Sequence, residues 1–163
     1  MRGDSMNAEH SSHGLVAIAM SIATRIHRDQ YRHGHGEPYI RHPERVAKAI
    51  RGMQAGDAGE RLEAIAWLHD VSEDGRLTSE DLRAGGMPPE VVEAVSILTR
   101  GHDETYFAYI TRVVFSRNSF AACVKLADLA DNMSDLKECS LKDKYRFAQH
   151  MVRQAYPMLT FAG

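Results

Sequence analysis

Residues 123–133 read CVKLADLADNM, and that stretch decides the fold. Leu126, Ala127, Leu129 and Ala130 keep helical spacing, while Asp128 and Asn132 stand four apart on one helical face among them. Acidic groups in so apolar a setting require a partner. Downstream, the helical period extends through 119–136 and resumes over Leu141 to Leu159, with Tyr145, Phe147, Ala148, Met151, Val152 and Ala155 as the inner face. Upstream, Leu15, Ile18, Ala19, Ile22 and Ile26 form a stripe on a helix over Leu15 to Tyr31, which the HGHGEP segment stops. Pro43 opens a second helix ending near Gly52, with Val46, Ala47 and Ile50 inward, and a third covers Arg61 to Ser72. Thr78 or Ser79 caps a short helix after Gly75. Pro88 or Pro89 starts a helix through Leu98, and another covers Thr105 to Phe115. No segment alternates apolar and polar residues long enough for a sheet. The expectation is an all-α, single compact helical bundle over residues 14–163, with residues 1–13 as a flexible N-terminal tail.

Composition narrows the function classes. The 163 residues carry 20 Lys+Arg against 22 Asp+Glu, a net charge of −2, with 44% apolar residues, which is ordinary globular usage. Such a balance gives no electrostatic reason for a nucleic acid polymer or an anionic bilayer as partner. Cys123 and Cys139 are too few for a disulfide framework, no apolar run reaches membrane-spanning length, and the N-terminus lacks the apolar core of a secretion signal. A reduced cytoplasmic setting follows, and an oligomer is compatible with all of this.

The chemistry concentrates in two walls. In WLHDVSED, 67–74, His69, Asp70, Glu73 and Asp74 fan over an arc of roughly 140° if the helix continues through them. Three carboxylates there repel one another unless a cation intervenes. Asp128 and Asn132 form the second wall, and His42 in PYIRHP completes a set of two imidazoles and two carboxylates. His42, His69, Asp70 and Asp128 together suit Mn²⁺, Fe²⁺ or Zn²⁺ better than Ca²⁺ or Mg²⁺. A lone His-Asp pair is common by chance and is weak evidence alone. His33 and His35 read as solvated loop residues, and Asp131 and Asp135 as the exposed face of their helix.

In their order, RHP, WLHDVSED and VKLADLADN resemble the HD-domain metal-dependent phosphohydrolases, and more narrowly the alarmone hydrolase branch: the hydrolase part of RelA/SpoT-type enzymes and the small metazoan SpoT homologue. The resemblance runs from about Ala17 to Leu136 and includes IHRDQYRHGHGEPYIRHPERVA. It implies an HD-type hydrolase domain with His42, His69, Asp70 and Asp128 as ligands of one divalent ion, Mn²⁺ by preference, with Fe²⁺, Co²⁺ or Zn²⁺ as alternatives. It also implies Glu73 and Asp74 as the pair that handles water and leaving-group protons, Asn132 as a site asparagine, and Arg32 as the residue at the nucleotide. The substrate so implied is guanosine 3′,5′-bis(diphosphate), cleaved to GDP and pyrophosphate. Another nucleotide (a dNMP, dNTP or cyclic nucleotide) and a non-catalytic metal-containing nucleotide sensor are the rival readings. The chain departs from the branch at His33, where relatives commonly carry lysine, and between Gly85 and Phe120, where no residue-level match is found.

Overall fold

The computed structural model describes residues 6–32, 36–73 and 76–159, and of residues 6–13 the backbone alone. Among them lie eight helices: α1 (Met6–Ile26), α2 (Arg41–Ile50), α3 (Gly56–Leu68), α4 (Ser79–Ala84), α5 (Pro89–Leu98), α6 (Tyr106–Phe115), α7 (Ser119–Ser134) and α8 (Ser140–Ala155). The fold is all-α, and the only extended pairing among the described residues is an isolated antiparallel bridge between Tyr31 and Pro38. No described helix is long and apolar enough to cross a membrane.

Helix ends follow local chemistry. Thr78 starts α4 with a capping box: its hydroxyl accepts from Asp81 N at 3.1 Å, and the Asp81 carboxylate accepts from Thr78 N at 2.8 Å. Gly86, at φ +88°, closes the same helix by letting Met87 N donate to Leu82 O at 3.0 Å, a reversal that favours glycine. Side-chain oxygens of Thr105 and Asn118 cap α6 and α7, and Pro89 occupies the first turn of α5.

Several differences from the sequence expectation matter. Helix α1 starts at Met6, within the stretch expected as a tail, and ends at Ile26 rather than near Tyr31. Helix α3 spans Gly56–Leu68, so it stops before the HD pair. On α1, Ile18 is 42% exposed, and on α8 Phe147 is 57% exposed although both were expected inward. Ala155 is exposed as well, leaving Ala148 and Val152 as the buried residues of α8.

Helix α3 is the hub, packed against α1, α2, α5 and α7. Its Leu62, Ile65, Ala66 and Leu68 are buried, and each large aliphatic side chain so placed contributes about 1.5–3 kcal/mol. Because α2 packs on both α3 and α7, the start of α2, the end of α3 and the middle of α7 meet at one place. Backbone bonds around the bridge hold the two described stems between α1 and α2 together: Arg32 N donates to Glu37 O at 2.9 Å and Tyr39 N to Gln30 O at 2.8 Å.

Candidate metal centre

Two histidines are oriented by their Nδ1 atoms. His69, immediately after α3, donates from Nδ1 to Ala66 O at 2.7 Å, and His42, in the first turn of α2, donates from Nδ1 to Asp131 Oδ2 at 2.7 Å. Each bond leaves Nε2 as the nitrogen that can face a metal once its own proton is lost. The two Nε2 atoms face each other at 3.1 Å, with both rings buried. Asp128 Oδ1 lies 3.1 Å from His42 Nε2 and 3.8 Å from His69 Nε2. Donor atoms of these three residues all fall within 4.8 Å of one another. Asp70 Oδ2 stands at the edge of the group, 3.4 and 3.2 Å from the two Nε2 atoms.

Opposed imidazole lone pairs at that separation repel unless a proton or cation lies between them. Ligands held about 2.1 Å from a divalent ion sit about 3.0–3.4 Å from their neighbours in cis-octahedral or tetrahedral arrangements. The observed spacings fall in or near that range, so the His42/His69/Asp128 triad is capable of coordinating a divalent metal.

The carboxylates of the cluster have further partners. Lys125 Nζ donates to Asp128 Oδ2 at 2.7 Å, and Asn132 Nδ2 donates to Asp128 Oδ1. Lys125 is only 8% exposed and lies 4.9 Å from the centre of the Tyr109 ring, which is anchored by its hydroxyl donating to Leu98 O at 2.7 Å. The Tyr39 hydroxyl donates to Asp70 Oδ2 at 2.7 Å. Asp131 Oδ1 accepts from Arg45 Nε at 2.6 Å, and Arg45 also reaches Glu37 at 2.8 Å.

Electrostatics follow from these contacts. Burial would push Asp128 toward neutrality, but the Lys125 charge and the bonds from His42 and His69 hold its carboxyl well below the usual range. Asp70 is likewise depressed, burial being outweighed by the His69 charge and bonds from both imidazoles. Burial lowers His69, yet Asp70 and Asp128 override it and raise the imidazole to about 9; His42 is lifted well above its ordinary value in the same way. In metal-free protein the imidazole protons thus balance the acids, a task a divalent ion would take over. Glu73 is pushed up to about 7, first by partial loss of hydration and then by the Asp70 charge.

The cluster opens on a cavity of about 570 Å³ whose walls include Arg32, Tyr39, Asp70, Glu73, Arg76 and Asn132. Arg32 donates to Asn132 Oδ1 at 2.7 Å and lies 3.4 Å from both Asp131 and Asp135 carboxylates. Asp74, His33 and His35 lie outside the described residues. Over residues 69–73 the expected helical arc is replaced by a tight turn, with Val71 N donating to Leu68 O at 3.1 Å and Glu73 N to Asp70 O at 3.2 Å. That turn leaves Asp70 beside His42 and Glu73 on the cavity wall. Asp131, expected on an exposed face, has a side chain only 10% exposed because α2 covers it with His42 and Arg45. Sequence reasoning also passed over His27, Tyr39 and Arg76, all on the cavity wall. The spacing of Asp131 from Asp128 was the one available signal, since three residues apart means a shared helix face.

No family model matches the chain. Over 146 residues it is 33% identical to the probable guanosine-3′,5′-bis(diphosphate) 3′-pyrophosphohydrolase of Synechocystis sp., a stretch that covers 84% of this chain and 19% of that protein. Over 145 residues it is 34% identical to the guanosine-3′,5′-bis(diphosphate) 3′-pyrophosphohydrolase of Vibrio cholerae, covering 84% of this chain and 20% of that protein. The chain therefore spans about one fifth of the length of the curated relatives it matches. The solved structure of a metazoan ortholog of SpoT, a protein that hydrolyses ppGpp, has the same fold: TM-score 0.69 at 22% identity, covering 86% of this chain and 84% of that one.

Proposed function

We propose that this chain, homologous to RelA/SpoT hydrolase-family proteins over most of its length, is a metal-dependent phosphohydrolase acting on a nucleotide, and specifically a guanosine 3′,5′-bis(diphosphate) 3′-pyrophosphohydrolase. The observation that carries the reading is the convergence of His42, His69 and Asp128, with Asp70 at their edge, on a cavity lined by both acids and arginines. In this reading those four residues hold one divalent ion, Mn²⁺ by preference. The ion would supply Lewis acidity, making water more acidic and screening phosphate charge.

The reaction joins a water oxygen to the phosphorus esterified at O3′, and the P–O3′ bond breaks. O3′ takes up a proton, and the products are GDP and pyrophosphate. Glu73, with its carboxyl near neutrality at about 7, is the group to accept the proton of the attacking water. Asp74 is its partner for the leaving oxygen, a role resting on sequence resemblance. Asn132 keeps Asp128 aligned through Nδ2. Arg32 exchanges Asn132 and the Asp131 and Asp135 carboxylates for phosphate oxygens, a swap of charge-assisted hydrogen bonds of similar kind.

Incubation of Mn²⁺-loaded protein with ppGpp, dNMPs, dNTPs and cyclic dinucleotides tests the reading. Pyrophosphate release from ppGpp is expected, and its absence removes the specific assignment. A nucleotide that raises the melting temperature yet stays intact with Mn²⁺, Fe²⁺, Co²⁺ and Zn²⁺ would favour sensing over turnover.

A further inference from the structure

One wall of the cavity away from the imidazole pair is made of hydrogen-bond donors. Gln30 satisfies both neighbours when its carboxamide nitrogen faces His27 Nδ1 at 2.8 Å and its oxygen accepts from the Arg76 guanidinium. Because Nδ1 of His27 then accepts, the imidazole proton sits on Nε2. His27 is 2% exposed, and its Nε2 has no hydrogen-bond partner among the described residues. Burial lowers the His27 pKa, so the ring is neutral at pH 7 and Nε2 remains a donor. Arg76 is exposed and is bonded to a neutral amide, and among the described residues no carboxylate pairs with it.

Tyr39 measures the offset between this wall and the imidazole–carboxylate cluster. Its ring lies 4.9 Å from that of His27, and its hydroxyl sits on Asp70 Oδ2. The donor wall is thus about one phenol length from the Asp70 edge of the cluster. A ligand spanning both places needs two anionic groups held apart: one at the cluster and one on the wall. A guanidinium whose only described partner is an amide keeps its charge available for phosphate oxygens, and its fork can grip two of them.

We propose that Arg76, presented by Gln30 beside His27, binds the phosphate arm that is not cleaved, and so selects nucleotides bearing two separated phosphate groups. The inference rests on the proposed hydrolase reading and adds a specificity-determining residue to it. Arg76 lies outside the imidazole–carboxylate cluster, so its substitution acts on binding of the second arm.

Two measurements on Arg76→Gln and wild-type protein test it. In the first, inorganic pyrophosphate is titrated calorimetrically into metal-free protein. Binding weakened about tenfold or more in the variant is expected, as for a lost charge-assisted contact. Equal affinity in both proteins, or no binding to wild type, overturns the proposal. In the second, KM is compared for ppGpp and for guanosine 3′-diphosphate, which lacks the 5′ arm, with Mn²⁺ present. The variant is expected to narrow the KM ratio between the two about tenfold, with Arg76→Lys restoring part of it, whereas an unchanged ratio overturns it. Wild-type protein that binds pyrophosphate through Arg76 but releases none from ppGpp would sink the hydrolase reading and leave the anion subsite standing.

Discussion

Replacing Lys125 with methionine removes a buried cation while keeping the length and apolar body of the side chain. Its Nζ stands 2.7 Å from Asp128 Oδ2, and both side chains are nearly inaccessible, at 10% and 6% exposure. At an effective dielectric of about 20, the attraction at that distance is about 6 kcal/mol. Desolvation of both partners offsets part of it, and breaking a buried pair from one side typically costs about 3–5 kcal/mol, since the other charge is left uncompensated. For a chain of this size each kcal/mol moves the melting temperature by about 2–4 °C, so metal-free Lys125→Met should melt about 10 °C below wild type. The stranded carboxylate is also one of the three triad donors. Saturating Mn²⁺ should therefore recover half or more of the loss by supplying positive charge at Asp128. Differential scanning calorimetry with chelator and then with Mn²⁺ reads both quantities. A deficit under about 2 °C, or the same deficit in both conditions, would refute the electrostatic account of Lys125.

Asp131→Asn keeps an acceptor for His42 Nδ1 but removes the charge that makes Nε2 a stronger donor to metal; chelator competition should show Mn²⁺ affinity about 10–100-fold weaker, and unaltered affinity would make Asp131 merely structural. Asp70→Ala should lose metal and activity together, whereas Glu73→Gln should retain metal in elemental analysis and lose about 10²–10⁴-fold in turnover; equal metal loss in both rejects the division of roles. With its carboxyl raised to about 7, Glu73 is a competent base only when ionised, so the rate should climb as pH rises through about 7 and then level, a profile that a flat pH–rate curve would contradict. His69 titrates at about 9 when folded against 6.5 ordinarily, so its stabilisation is complete below about 6.5 and is lost as pH rises through about 9. Melting temperatures with chelator should fall over that window, while Mn²⁺-loaded protein should not follow, because ligation keeps the imidazole unprotonated.

The helical content was readable in part because several boundaries carry their own chemistry: Thr78, Pro89, Thr105 and Asn118 each start a helix through a group visible in the sequence. The end of α3 was not. Nothing in HDVSED before Gly75 forbids another turn of helix, yet the His69 side chain takes the Ala66 carbonyl and the backbone tightens at Val71 and Glu73. The donors His42, His69 and Asp128 could be picked out as polar groups at apolar positions, and the structure brings all three together. Asp131 offered only its three-residue spacing from Asp128, since its burial depends on α2 lying across α7, which that spacing does not encode. Arg76 and Gln30 escaped for the same reason: their bond joins a loop after α1 to a loop after α3. Phe147 failed in the opposite sense, being an aromatic at helical spacing that the structure leaves uncovered.

The bridge between Tyr31 and Pro38 pins both stems of its loop by backbone bonds, Arg32 N to Glu37 O and Tyr39 N to Gln30 O. Tyr31, on one of those clamped stems, is 62% exposed and stands on the cavity wall, so it is a labelling point: a dye-bearing cysteine at that position could report nucleotide arrival by fluorescence.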